Sequence, residues 1–317
     1  CDDPPCAINN TCLYVMERDG LTDAEATLMA SLQGLLSRQR SGLYCDLGHA
    51  SLLSDLVGRY GVTLQPISDP WEILDRFAST TKSYVLMDLA GDPNSLSVGT
   101  SLAGALDGLM VDISIEPTLQ SMEFELVEDA RFKSEQWCFD TYESLFSTHI
   151  LVEQREGSPL VDPLFLRDVA VAQRAFTYHP GLDQDFRTAV VAKTVQRGKE
   201  AGEAGQPLVL GWAAEVGGGE YLFVEGVTDG GGAVVPADYS ANLSVLRHVD
   251  GTPLPMPLSQ GKSEGMGNGH YVTFVLSDGD NLQWMQAGFK GPAWWGSPWR
   301  GQFPMTWAVA LPMTELA

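Results

Sequence analysis

The chain has 317 residues, 44% of them hydrophobic, and its 19 basic against 41 acidic side chains give a net charge of −22. That length suggests about two domains with ample apolar material for cores, which excludes a disordered, collagenous or coiled-coil protein. A surface this negative repels a phosphate backbone, so nucleic acid is excluded as a partner. No apolar run reaches the roughly 18 residues of a membrane-spanning helix, so no transmembrane segment is expected.

In chain order, the first element is a Cys-rich segment, residues 1–12. Residue 1 is Cys rather than Met, as expected if a targeting segment has been removed or the sequence starts inside a longer chain. Cys1, Cys6 and Cys12 are interleaved with Asp2, Asp3, Pro4 and Pro5, and Cys45 and Cys138 stand alone. A cluster in such a segment reads as a disulfide staple formed in an oxidising compartment, with all five as candidates and at most two bridges within the chain. A zinc site is the weaker alternative, since no Cys-x-x-Cys pair or nearby His is present, and a lipid-modified Cys1 is a third. Asn9 and Asn242 stand in glycosylation tripeptides. A secreted or extracellular-surface location follows as the expectation.

Residues 13–160 read as an α/β domain with an open, mostly parallel sheet. Strands are expected at Leu13–Met16, Gly42–Cys45, Val62–Gln65, Tyr84–Asp88 and Gly108–Ile113. Helices alternate with them. Thr22 caps the first, with Glu25 at capping-box spacing and Leu28, Leu32, Leu35 and Leu36 as its buried stripe. Further helices are expected at Leu52–Tyr60 and Pro70–Phe77, and Ser95–Leu106 reads as a tightly packed loop and helix start. No glycine-rich phosphate loop follows any strand.

A polar stretch with Gly157, Pro159 and Pro163 marks a boundary, and residues 161–317 read as a second domain. Leu166–Tyr178 and Asp185–Ala204 are expected as helices, and Pro207–Ala213, Glu220–Val227, Tyr271–Leu276 and Met305–Leu311 as strands. Strands that are apolar on both faces and end in polar clusters suggest a parallel, barrel-like sheet. A full eight-stranded barrel needs about 250 residues, so this one is expected to be partial, covered by a partner chain or by a C-terminal segment beyond residue 317.

Asp278 and Asp280 follow the clearest of these strands, at the carboxyl end where parallel sheets place ligand sites. Such a pair can share a divalent cation, or hold one proton between two carboxylates; no other cofactor is implied. Asn281 can orient a sugar hydroxyl. The alternative is a polar turn, for which Asp-Gly is a common dipeptide. Five of the eight tryptophans fall between Trp284 and Trp307. Trp294 and Trp295 could stack on sugar rings or pack the barrel wall, and Arg300 could clamp substrate or pair with an acid. Trp212 ends a strand, and Glu215 after it is a candidate second carboxylate, as two-carboxylate glycoside chemistry requires. Arg167 and Asp168 read as a helix cap and salt bridge. The histidines show no metal-ligand spacing.

Two late strings, Tyr271-Val-Thr-Phe-Val-Leu-Ser-Asp-Gly-Asp-Asn-Leu-Gln-Trp284 and Trp294-Trp-Gly-Ser-Pro-Trp-Arg-Gly-Gln-Phe-Pro-Met-Thr-Trp307, resemble those of the GxGYxYP putative glycoside hydrolases. So do Leu32-Gln-Gly-Leu, Thr100-Ser-Leu-Ala-Gly104, Arg167-Asp-Val-Ala-Val-Ala-Gln173 and Asn242-Leu-Ser244. The resemblance implies an α/β N-terminal domain, then a domain similar to glycoside hydrolase/deacetylase barrels, and carbohydrate as the partner. The naming signature is absent and would be expected past Ala317. Ser277-Asp278-Gly279 is also similar to the first motif of polysaccharide deacetylases. Ser277, however, replaces that group's general-base Asp, and no His-x-x-x-His follows, which disfavours a zinc deacetylase. The implied activity is glycosidic-bond cleavage by strand-end carboxylates; the rival reading is a non-catalytic extracellular carbohydrate-binding or structural subunit.

Overall fold

The computed structural model describes residues 12–39, 42–48, 50–154, 162–179, 181, 183–212, 219–248, 270, 272–276, 282, 284–289, 291–303 and 305–307. Over them the chain is a mixed α/β protein built from several parallel sheets. The first contains β1 (Cys12–Glu17), α1 (Asp23–Ser37), β2 (Leu43–Asp46), α2 (Ala50–Tyr60) and β3 (Thr63–Pro66), followed by α3 (Pro70–Arg76). The second contains β4 (Ser83–Met87), α4 (Ser95–Leu106), β5 (Leu109–Asp112), α5 (Glu116–Ser121) and β6 (Glu125–Asp129), followed by α6 (Glu135–Tyr142). The third runs through β7 (Ile150–Glu153), α7 (Arg167–Gln173), β8 (Phe176–Tyr178), α8 (Gln184–Glu200), β9 (Leu208–Gly211), α9 (Gly219–Asp229) and β10 (Ala233–Val235), with α10 (Leu243–Leu246) after it.

The strand orders are β2-β1-β3, β5-β4-β6 and β10-β9-β7-β8, all parallel. In every sheet the unit's first strand lies between its second and third. The three sheets therefore repeat one topology, in which chain direction along the sheet reverses beside the first strand. The sequence reading expects one sheet before residue 160. Two three-stranded sheets stand there instead, and β7 pairs with β8 and β9, so the third sheet straddles the expected boundary.

Local rules explain the elements. Thr22 and Glu25 form the expected capping box, the threonine hydroxyl accepting from Glu25 N–H at 3.2 Å and the glutamate from Thr22 N–H at 2.9 Å. Leu28 and Leu32 are fully buried, each contributing about 1.5–3 kcal/mol. One core runs unbroken through all three units, from Leu28 through Leu102 and Val111 to Val171 and Phe176.

Three segments depart from the sequence expectation, one of them Tyr271–Leu276, whose described residues are strand only at Val275–Leu276. Glu220–Val227 is not a strand but part of α9: Phe223, Gly226, Val227 and Gly230 are buried, at helical spacing, against α8. Leu166–Tyr178 is not one helix. Arg174 takes a left-handed conformation (φ 53°) that ends α7, and Phe176-Thr177-Tyr178 becomes β8. Ser95–Leu106 is helical throughout.

The first helices of the three units meet at the centre of the molecule. A Cβ on Gly34 of α1 would lie 2.5 Å from the Asp168 carbonyl and 2.8 Å from Val171 Cβ of α7; one on Gly104 of α4 would lie 3.3 Å from Val171 Cα. Only glycine permits helices to approach this closely. Their C-terminal ends converge too, and Arg38 binds them together. Its Nε donates to the Ala172 carbonyl (3.2 Å), its Nη2 to those of Gly104 (2.7 Å) and Val171, and its Nη1 to Asp107. Arg174 Nη2 reaches Asp107 at 3.0 Å. Helix ends leave carbonyls unpaired and carry partial negative charge, so a guanidinium is the fitting group there.

Candidate functional site

The four internal motifs quoted above assemble around that helix junction. Ser31 Oγ accepts from Met110 N–H (2.9 Å) on β5, and Ser101 Oγ from Thr177 N–H (2.8 Å) on β8. At β2 the corresponding corner is closed by Asn242. Its Oδ1 accepts from Cys45 N–H (3.1 Å) and from Gln33 Nε2 (2.9 Å), and its Nδ2 donates to the Cys45 carbonyl (2.8 Å). Asp168 Oδ2 takes Ser244 N–H at 2.8 Å and Gln33 Nε2 at 3.3 Å. Burial raises the Asp168 pKa, with the Ser244 hydrogen bonds pulling the other way.

This junction corrects several expectations. Asn242 is 4% exposed with its amide engaged three ways, so the folded chain offers no glycan acceptor there. Arg167 and Asp168 are both buried inside the joint, where Asp168 accepts from Ser244 N–H in the first turn of α10. Cys45 and Cys138 are buried free thiols, not disulfide partners, and burial raises the pKa of each. The motifs at 32–35, 100–104, 167–173 and 242–244 thus hold the units together.

At the carboxyl ends of β7 and β9, where the third sheet's order reverses, Glu153 and Arg187 form a buried ion pair. Arg187 Nε donates to both carboxylate oxygens at 3.0 and 2.9 Å, and Nη2 to one at 2.5 Å. Burial raises the Glu153 pKa, against which Arg187 and Tyr178 pull it down. Sequence reasoning did not single this pair out; its signal was a Glu ending an apolar strand. Trp212, just past β9, is half-buried with its ring edge-on to Phe223 at 5.4 Å, a packing role. Glu215 lies outside the described residues, as do Asp278, Asp280, Asn281, Asn9, Cys1 and Cys6.

The remaining sequence-predicted residues come together after the third unit. β11 (Val275–Leu276) pairs in parallel with β12 (Thr306–Trp307). The segment between them is moored on the third unit by Leu282 N–H to the Pro236 carbonyl (2.8 Å), and Leu282 and Met285 pack against the Val235 and Ala237 cluster. Trp284 meets Phe289 (5.0 Å) and Trp294 (5.3 Å) edge-on, and Trp295 stacks on Phe289 at 5.3 Å. The Arg300 guanidinium lies over the Trp295 ring at 4.2 Å. With Phe289 and Arg300 on its ring, Trp295 has an architectural role.

Beside this cluster is an open cavity of about 230 Å³, lined by Leu276, Trp294, Ser297, Trp299, Arg300 and Phe303 among others. It begins at the last residue of β11, two positions before Asp278. Trp299 is its most open aromatic face, 67% exposed, and was not singled out in the sequence, where it is one of five crowded tryptophans. Indole rings, one hydroxyl and one guanidinium make a surface that can bury the flat face of a small polar ring and bond its rim. Among the described residues no group of three or more His, Cys, Asp or Glu side chains is placed to hold a metal ion. No helix among them is long and apolar enough to cross a membrane.

Comparison with known proteins agrees with this layout. The GxGYxYP N-terminal first domain model matches residues 12–79, the second 81–146 and the third 149–248, one for each unit, and the "GxGYxYP putative glycoside hydrolase C-terminal domain" matches 268–317. The structure is similar to the 1.25 Å crystal structure of a "putative hydrolase" from Bacteroides thetaiotaomicron VPI-5482, with a TM-score of 0.81 at 22% identity over 97% of this chain. This chain spans 59% of that protein's length, and the likeness is one of fold. No curated protein matches. With all four models matching in order and each of the first three coinciding with one sheet unit, the chain belongs to the GxGYxYP family.

Proposed function

We propose that the protein is a secreted carbohydrate-active hydrolase that cleaves glycosidic bonds with carboxylates at the β11 end. Asp278 and Asp280 serve as general acid and as stabiliser of the oxocarbenium-like transition state, with Glu215 the candidate second-strand carboxylate. The supporting observation is the cavity itself: it opens at Leu276, immediately before Ser277-Asp278, and is lined by Trp294, Trp299 and Arg300. Its volume is below the roughly 300 Å³ of larger ligand sites, which suits one sugar ring at a time. Asn281 orients a hydroxyl of that ring.

A disulfide at Cys12, closed with Cys1 or Cys6, would accompany secretion; non-reducing against reducing peptide mapping tests it. The activity test is incubation of the full-length protein with a glycan panel. Asp278→Asn combined with Asp280→Asn is expected to lower turnover by about a thousandfold or more while the melting temperature stays put. Hydrolysis that survives the double substitution removes the proposed roles. A loss on chelation, restored by a divalent ion, would assign the aspartate pair to a cation instead.

A further inference from the structure

We infer that the cavity at the β11 end selects a sugar carrying an anionic group, a carboxylate or a sulfate ester, and that Arg300 receives it. The inference deepens the reading above and rests on it. Arg300 is the only charged residue among the described residues that line the cavity. Its guanidinium is held at 4.2 Å over Trp295, and that ring is in turn fixed by stacking on Phe289. Stacking engages the flat face of a guanidinium and leaves its N–H edge available for two parallel hydrogen bonds to a planar or tetrahedral anion. The group is thus oriented before any ligand arrives.

The surroundings make this placement unusual. Acidic residues outnumber basic ones by 41 to 19 in the chain, and Arg18, Arg38, Arg131 and Arg187 each hold a carboxylate within ion-pair distance. Among the described residues no carboxylate pairs with Arg300. An arginine that borders a cavity, with no acid on it among the described residues, offers its charge to an anionic ligand. The neighbouring lining is aromatic and aliphatic (Leu276, Trp294, Trp299, Phe303), which matches the carbon face of a pyranose ring and weakens competition from water for the ion pair.

The test is equilibrium binding of the full-length chain by calorimetry. The probes are galacturonate and glucuronate disaccharides, their neutral methyl esters, and galactose disaccharides with and without 6-sulfate. An acidic probe is expected to bind about tenfold or more tighter than its neutral counterpart. Arg300→Gln should erase that preference, weakening the acidic probe by about tenfold more than its neutral counterpart, and Arg300→Lys should keep part of it. Trp299→Ala should weaken acidic and neutral probes alike. Preference for uronates over sulfated sugars, or the reverse, names the source of the anion. Equal affinity for acidic and neutral probes, or a preference that persists in Arg300→Gln, overturns the inference and leaves the carbohydrate reading standing. Binding of neither overturns both.

Discussion

The three repeated units and the segment after them use their motif residues in opposite ways. In the units, Gln33, Gly34, Gly104, Asp168 and Asn242 are turned inward and spent on one another. In the final segment Trp294, Trp299 and Arg300 border open space, and Val272, Phe274 and Val275 of the approach to β11 and its first residue are more than half exposed. Two stretches of sequence can be equally characteristic of a family, one because it holds domains in register and the other because it meets a ligand. Composition does not separate the cases: the inward set is the more polar. What separates them is whether the side chain is spent inside the chain, as the Gln33 and Asn242 amides are, or borders open space.

Substitutions can break or sharpen that contrast. The largest effect is expected at the buried ion pair: Arg187→Met leaves Glu153 buried without its partner and should cost about 3–5 kcal/mol, seen as a drop in the urea midpoint. Replacing both, Arg187→Met with Glu153→Leu, should recover most of that loss. Next is Asn242→Ala, which strands the Cys45 N–H and carbonyl and the Gln33 amide; about 3 kcal/mol is expected in the same measurement. Gly34→Ala forces a methyl group against the Asp168 carbonyl and should cost about 1–3 kcal/mol, with Gly20→Ala, where no atom lies within 4 Å, as the unstrained control.

A smaller effect attaches to Asp107. Partial burial raises its pKa, but Arg174 and Arg38 outweigh this and hold it below the usual carboxylate range. A carboxylate depressed by folding adds stability that is full above its unfolded pKa of about 4 and is lost as pH falls through the folded value. Asp107→Asn should therefore cost about 0.5 kcal/mol at pH 7 and flatten the loss of stability below about pH 4. The smallest shift is expected from Trp299→Ala, within about 0.5 kcal/mol in stability, yet this variant should lose sugar binding. If it destabilised the chain as much as Asn242→Ala does, the two regions would not differ in the way described.

Much of the fold was legible where local chemistry was strong. The Thr22 capping box, the strands expected at Leu13–Met16, Gly42–Cys45 and Tyr84–Asp88 and found within a residue at Cys12–Glu17, Leu43–Asp46 and Ser83–Met87, and their parallel alternation with helices all follow from short-range rules. Glu220–Val227 was misread because Tyr221, Phe223 and Val224 favour strands, whereas burial follows Phe223, Gly226, Val227 and Gly230, a spacing that only the facing surface of α8 reveals. The threefold repetition was hidden because the units share strand order and helix junctions rather than residue strings. The tryptophan loop and Arg300 were visible as candidates, since aromatic crowding needs no tertiary information. That Trp295 is occupied by Phe289 and Arg300 while Trp299 remains open depends on how the loop turns, and composition carries no trace of it.

The engaged amide of Asn242 has a practical corollary for production of the protein. Oligosaccharyltransferase in a eukaryotic secretory route acts on nascent, unfolded polypeptide, and the Asn242-Leu-Ser244 tripeptide is accessible at that moment. An amide nitrogen carrying a glycan cannot fit against the Cys45 carbonyl, so each molecule modified there is diverted from the native state. Yields from yeast or insect cells should accordingly rise with Ser244→Ala, which destroys the acceptor while sparing the asparagine; bacterial hosts lacking that enzyme should show no such gain.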